Sequence, residues 1–113
     1  MDRLLADCRA RLGFDLLGNT WNPVVLYALG ARPRRPGQLR AEIGGISAKV
    51  LTETLRRLEE YALVERRAYA EAPPRVEYSR AALGRTLLEP NEALGRWSDT
   101  YGDAFVEAQG WDD

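Results

Sequence analysis

The stretch from Ser47 to Tyr61 constrains this chain more than any other. Val50, Leu51, Thr54, Leu55 and Leu58 recur at intervals of three and four, which puts them on one stripe of an α-helix. Ala48, Lys49, Thr52, Glu53 and Arg56 fall on the opposite face. Ser47 offers a side-chain acceptor to the orphan N–H groups of the first turn, so a helix is expected over 47–60. After Ala62 the period changes to two. Residues 63–69 and 75–79 read as strands, and Ala70-Glu71-Ala72-Pro73-Pro74 between them reads as a hairpin tip, giving a wing over 62–79.

The stripe needs a cover, and the upstream segments supply it. Leu12, Phe14, Leu16 and Leu17 mark a short helix stopping at Gly18. Asn19-Thr20 then offers capping side chains to a second helix with Pro23 in its first turn. Val24, Val25, Leu26, Tyr27 and Leu29 make that helix apolar most of the way round, so it is expected to be central and buried, ending at Gly30. Two prolines mark residues 31–36 as a loop, residues 38–43 as a short helix with Leu39 and Ile43 on one face, and Gly44-Gly45-Ile46 as a turn. Downstream, a short helix is expected over 82–88 and a longer one over 90–108, carrying Leu94, Trp97, Tyr101 and Phe105 on one face. The fold class is mainly α with a small β wing. Residues 36–60, a short helix joined by a glycine turn to a capped helix, have the form of a helix-turn-helix. With 113 residues the chain has room for one domain, 1–113.

Composition removes several function classes. The chain has one cysteine, Cys8, and no histidine. That rules out an internal disulfide and the usual structural zinc sets, and removes the commonest general base. No catalytic residue, metal or cofactor is expected, and an enzyme is disfavoured. No apolar run approaches the roughly 20 residues that span a bilayer. The N-terminus is charged and lacks a signal-peptide core, so a cytoplasmic protein without a membrane partner is expected. The net charge of −1 conceals an uneven distribution. Residues 32–80 hold eleven Lys or Arg against seven acidic residues, whereas 81–113 hold two against seven. A basic middle with an acidic tail points to nucleic acid.

Double-stranded DNA fits this pattern. Its major groove, about 12 Å wide, admits one α-helix. A helix buried along one stripe would present Lys49, Thr52, Glu53 and Arg56 to base edges and phosphates, with Ser47 and Ala48 at its positive end. Glu53 would have to accept from a cytosine amino group. Arg34, Arg35 and Gln38 stand at the start of the preceding helix, placed for the phosphate backbone. On the wing, Arg66, Arg67 and Arg75 flank a proline-stiffened tip, and Arg75 is the first candidate for the minor groove.

These segments also resemble a known family. Leu16-Leu17-Gly18-Asn19-Thr20-Trp21, Arg34-Arg35-Pro36-Gly37-Gln38-Leu39-Arg40 and the run from Gly45-Ile46-Ser47 to Leu58-Glu59 are similar to the HxlR family of bacterial transcriptional regulators, relatives of the MarR group. Leu63-Val64-Glu65-Arg66, Tyr69, the wing Pro73-Pro74-Arg75-Val76-Glu77-Tyr78-Ser79 and Ala82-Leu83-Gly84 extend the match to about residues 8–90. The resemblance implies a homodimer joined by its N- and C-terminal helices on a pseudo-palindromic operator. It implies a regulator, with repression expected. Two departures stand out: Thr20 where the family usually has Lys before the Trp, and Cys8-Arg9 where it often has Cys-Pro.

Some positions carry two readings. Cys8 is either a small hydrophobe in a dimer interface or a redox sensor, its thiolate favoured by Arg9 and Arg11. Trp97, Tyr101 and Phe105 form either a dimer face or, with Trp21 and Tyr27, the wall of a pocket for a small-molecule effector. A competing function for the whole chain is a winged-helix module that docks proteins and not DNA.

Overall fold

The structure, a computed structural model, describes residues 9–110. Its order is α1 (Ala10–Gly18), α2 (Trp21–Ala28), α3 (Pro36–Ile43), α4 (Ala48–Glu60), β1 (Val64–Tyr69), β2 (Arg75–Arg80), α5 (Ala82–Arg85) and α6 (Leu88–Gln109). The core lies where α2, α3, α4 and the base of the hairpin meet. Val25, Leu26 and Leu29 of α2 and its C-terminal edge pack with Leu39, Ile46, Leu51, Leu55, Leu58, Leu63 and Val64, all buried. The stripe expected on α4 is therefore its core face. Thr54 belongs to it because its hydroxyl donates to the Val50 carbonyl at 2.8 Å, which satisfies a polar group 1% exposed.

Local chemistry sets the joints. The Ser47 hydroxyl accepts the Val50 N–H at 3.1 Å and starts α4. At the other end, Ala62 N–H donates to Glu59 O at 2.9 Å and Leu63 N–H to Leu58 O at 3.0 Å, the Schellman pattern. Ala62 holds a φ of 62°, a conformation usually left to glycine. Gly44 and Gly45, at φ 66° and 64°, make the turn between α3 and α4. The hairpin pairs Val64 with Arg80 through Tyr69 with Arg75, antiparallel. Gly84 is buried against the hairpin base, where a Cβ would collide with the Leu63 carbonyl.

Several expectations change. Thr20 makes no capping bond; its backbone is already helical, and Asn19 forms the extended joint between α1 and α2. Helix α2 is buried on one side only. Val24 and Tyr27 are exposed while Asn22 is buried, because α3 and α4 cover a single face and the other borders an open cleft. Helix α3 begins at Pro36, whose missing N–H costs nothing at a first helical position. The loop before it is not free: Arg34 and Tyr78 exchange backbone hydrogen bonds, both 2.8 Å, adding a short edge to the hairpin. The helix expected over 82–88 ends at Arg85, and α6 starts at Leu88 instead of Pro90, since Pro90 is tolerated in a first turn.

Candidate nucleic-acid interface

Helix α4 presents an exposed, largely polar face. Ser47, Ala48, Lys49, Thr52, Glu53 and Arg56 are all exposed. Among the described residues, the side chains of Lys49, Thr52, Glu53 and Arg56 make no hydrogen bond or ion pair. Lys49 and Glu53 are four apart and Glu53 and Arg56 three apart, yet neither pair closes. Arg35 is also exposed, and its backbone N–H donates to Gln38 Oε1 at 2.8 Å. Gln38 thus caps α3 with its carbonyl and keeps its amide N–H groups for an outside acceptor.

The wing is organised differently. Arg66 and Arg67 are exposed on β1. Strand alternation puts Arg67 and Tyr69 on one face, and the register sets Arg75 directly opposite Tyr69. The guanidinium carbon of Arg75 lies 3.9 Å from the centroid of the Tyr69 ring, and that of Arg67 lies 5.2 Å from it. Arg75 also faces Glu71 at 3.1 Å and Glu77 at 3.9 Å. Its Nε is buried and, although within ion-pair distance of Glu71, makes no aligned hydrogen bond. The residue expected first in the minor groove is thus folded onto its own hairpin.

Two further arginines are held by contacts within the fold. Arg34 pairs with Glu42 across α3, leaving its side chain 24% exposed. Arg80 donates from Nε to Leu26 O at 2.7 Å and from Nη2 to Tyr27 O at 2.9 Å, satisfying carbonyls at the end of α2. Desolvation holds the Arg80 pKa below its ordinary value, opposed by the nearby Glu92 and Tyr27. Composition could not separate these roles, since all eleven basic side chains look alike until the strand register and the helix ends are known.

The five aromatic candidates are distributed over three places. Trp21 packs against the core. Tyr27 borders a cleft of about 540 Å³ with Val24, Ala28, Ile43 and Leu88. Trp97, Tyr101 and Phe105 form their own exposed cluster on α6, with Trp97 centroid distances of 5.9 Å and 6.3 Å. Cys8 lies outside the described residues. No group of three His, Cys, Asp or Glu able to hold a metal occurs among the described residues. No described helix is long and apolar enough to cross a membrane.

Helices α2 and α3 packed against a capped α4, with a two-stranded hairpin directly after it, define a winged helix-turn-helix protein. The sequence matches the HxlR-like helix-turn-helix family over residues 16–105, and the chain belongs to that family. The HTH-type transcriptional regulator YkvN of Bacillus subtilis is 36% identical over 96 residues, covering 85% of this chain and 81% of YkvN. The redox regulator HypR, solved in reduced and oxidised forms, superposes in its reduced form with a TM-score of 0.81 at 28% identity, over 88% of this chain and 99% of HypR. The reduced transcriptional regulator YodB of B. subtilis, also solved after diamide treatment, gives 0.72 at 32% identity over 83% and 93%.

Proposed function

We infer that this chain is a sequence-specific DNA-binding transcriptional regulator, a cytoplasmic repressor acting as a homodimer on a pseudo-palindromic operator. The observation that carries the reading is the polar face of α4, where Lys49, Thr52, Glu53 and Arg56 are exposed and unpaired beside a basic wing. Ser47 and Ala48 at the helix start, Arg35 and Gln38 at the start of α3, and Arg66 and Arg67 on β1 complete the contact surface. Arg34 and Arg75 belong to it as supports of that surface, and Arg75 reaches DNA only by leaving Glu71. Helix α6 buries no residue and exposes Leu94, Trp97, Tyr101 and Phe105, and α1 exposes Leu12 and Phe14. Such apolar faces at both ends of the chain suit a dimer contact. HypR and YodB, which bear on redox control by name or treatment, support Cys8 as an oxidant-responsive thiol. The cleft beside Tyr27 is the second place for an effector.

Fluorescence anisotropy with a duplex from upstream of the chain's own gene tests the reading. A protein making at least six phosphate contacts weakens by about a thousandfold between 50 and 200 mM salt. Absence of duplex binding at 50 mM salt overturns it.

A further inference from the structure

Asn22 is a polar side chain in an apolar place. It is 2% exposed and adjoins the core residues Val25 and Leu26 on α2. Both ends of its amide are used. Its Nδ2 donates to the Leu16 carbonyl of α1 at 3.0 Å. Its Oδ1 accepts from Arg57 of α4 twice, from Nε at 3.2 Å and from Nη2 at 3.1 Å. Arg57 Nη2 also donates to Thr54 Oγ1 at 3.4 Å and Asn19 Oδ1 at 3.5 Å. One buried amide therefore links three helices.

Such a link transmits position. A buried amide that loses a partner is left desolvated and unpaired, so it tends to move with its partners. Helix α1 has no fully buried residue and packs through Leu16, so the bond from Asn22 to the Leu16 carbonyl is a directional hold at its point of core contact. Arg57 follows Arg56 in sequence: one points to Asn22 and the other to solvent. The core face of α4 fixes its roll coarsely, and the Asn22 contact adds a directional restraint on it from α2. With a helix radius of about 5–6 Å including side chains, a roll of about 10° moves the outer side chains by about 1 Å, enough to misalign hydrogen bonds to base edges.

We propose that Asn22 and Arg57 are positioning residues that tie the roll of α4 to the placement of α1, so that a displacement of α1 reaches the outward side chains of the helix. The proposal rests on the reading of α4 as the DNA-facing helix. Two substitutions in the full chain separate the arms of the link. Asn22→Asp keeps an acceptor for Arg57 but loses the donor to Leu16, and Arg57→Met keeps the stem but loses the donors. Amide hydrogen exchange reads the link without DNA. Asn22→Asp should speed exchange at least about threefold in α4 as well as in α1, and Arg57→Met should do so in α1. Affinity for the specific duplex should fall about tenfold in both variants, with the salt slope unchanged because no phosphate contact is removed. Exchange confined to the substituted residue's own helix overturns the proposal, as does full affinity in a variant that exchanges faster. Should Asn22→Asp fail to fold, Arg57→Met decides from the α4 end alone. If wild type binds no duplex, the DNA reading of α4 falls, and the exchange measurement still judges the link.

Discussion

The cations of α4 and those of the wing occupy opposite situations. Lys49 and Arg56 project from a helix whose other side is locked in the core, and no described side chain competes for them. Arg75 is stacked on Tyr69 and flanked by Glu71 and Glu77, with its side chain 29% exposed. Binding a phosphate costs the α4 cations only water and rotamer freedom, whereas Arg75 must first break contacts inside the wing. Charge counted along a sequence therefore overstates the charge available at a surface. Of the eleven basic residues in 32–80, Arg34, Arg57, Arg75 and Arg80 are held by the fold itself.

The contrast can be broken most forcefully at α4. Replacing Lys49 and Arg56 together with Ala should lower duplex affinity by about a hundredfold and flatten the salt slope by about two per bound copy. Titration of the double variant across salt measures both; an unchanged slope would place the contact surface elsewhere. On the wing, Arg67→Ala should weaken binding by about five- to tenfold, with the slope flatter by about one. Arg67 is exposed and its nearest cation–π partner lies 5.2 Å away, a loose hold. If Arg75→Ala instead proves costlier than Arg67→Ala at equal stability, the wing contact runs through Arg75.

The elements themselves were legible in the chain. Helix α4 announced its core face through Val50, Leu51, Leu55 and Leu58 and its start through Ser47, because local periodicity and capping depend on neighbours in sequence. The wing followed from its alternation and from Pro73-Pro74. What could not be read were contacts between residues far apart. The pairing of Arg34 with Tyr78, the hold of Arg80 on the end of α2 and the Asn22–Arg57 link join positions 35 to 54 residues apart, and no periodicity encodes them. For the same reason Val24 and Tyr27 read as core residues. Their hydrophobicity is plain in sequence, but the cleft that leaves them uncovered is a product of packing.

A smaller effect tests whether the wing arginine is withheld or braced. Glu71→Gln removes the carboxylate 3.1 Å from Arg75 and one negative charge from the tip. If Glu71 withholds Arg75, binding should tighten by about threefold and the salt slope should steepen. If Glu71 braces Arg75 for insertion, binding should weaken instead, and the contrast drawn between the two regions fails at this point.

The smallest expected change lies at the joint between the regions. Ala62 holds a φ of 62° while its N–H and that of Leu63 close the end of α4. A left-handed L-residue costs roughly 1–2 kcal/mol, part of which glycine returns through its greater freedom in the unfolded chain. Ala62→Gly should therefore stabilise the protein by about 0.5 kcal/mol, raising Tm by about 2–4 °C in a calorimetric scan. Duplex affinity should not change, because the two hydrogen bonds and the burial of Leu63 and Val64 hold the wing at its angle to α4. A loss of affinity with a gain in stability would show that the strained residue itself sets that angle, and that the two surfaces are aligned by the joint and not by the core beneath it.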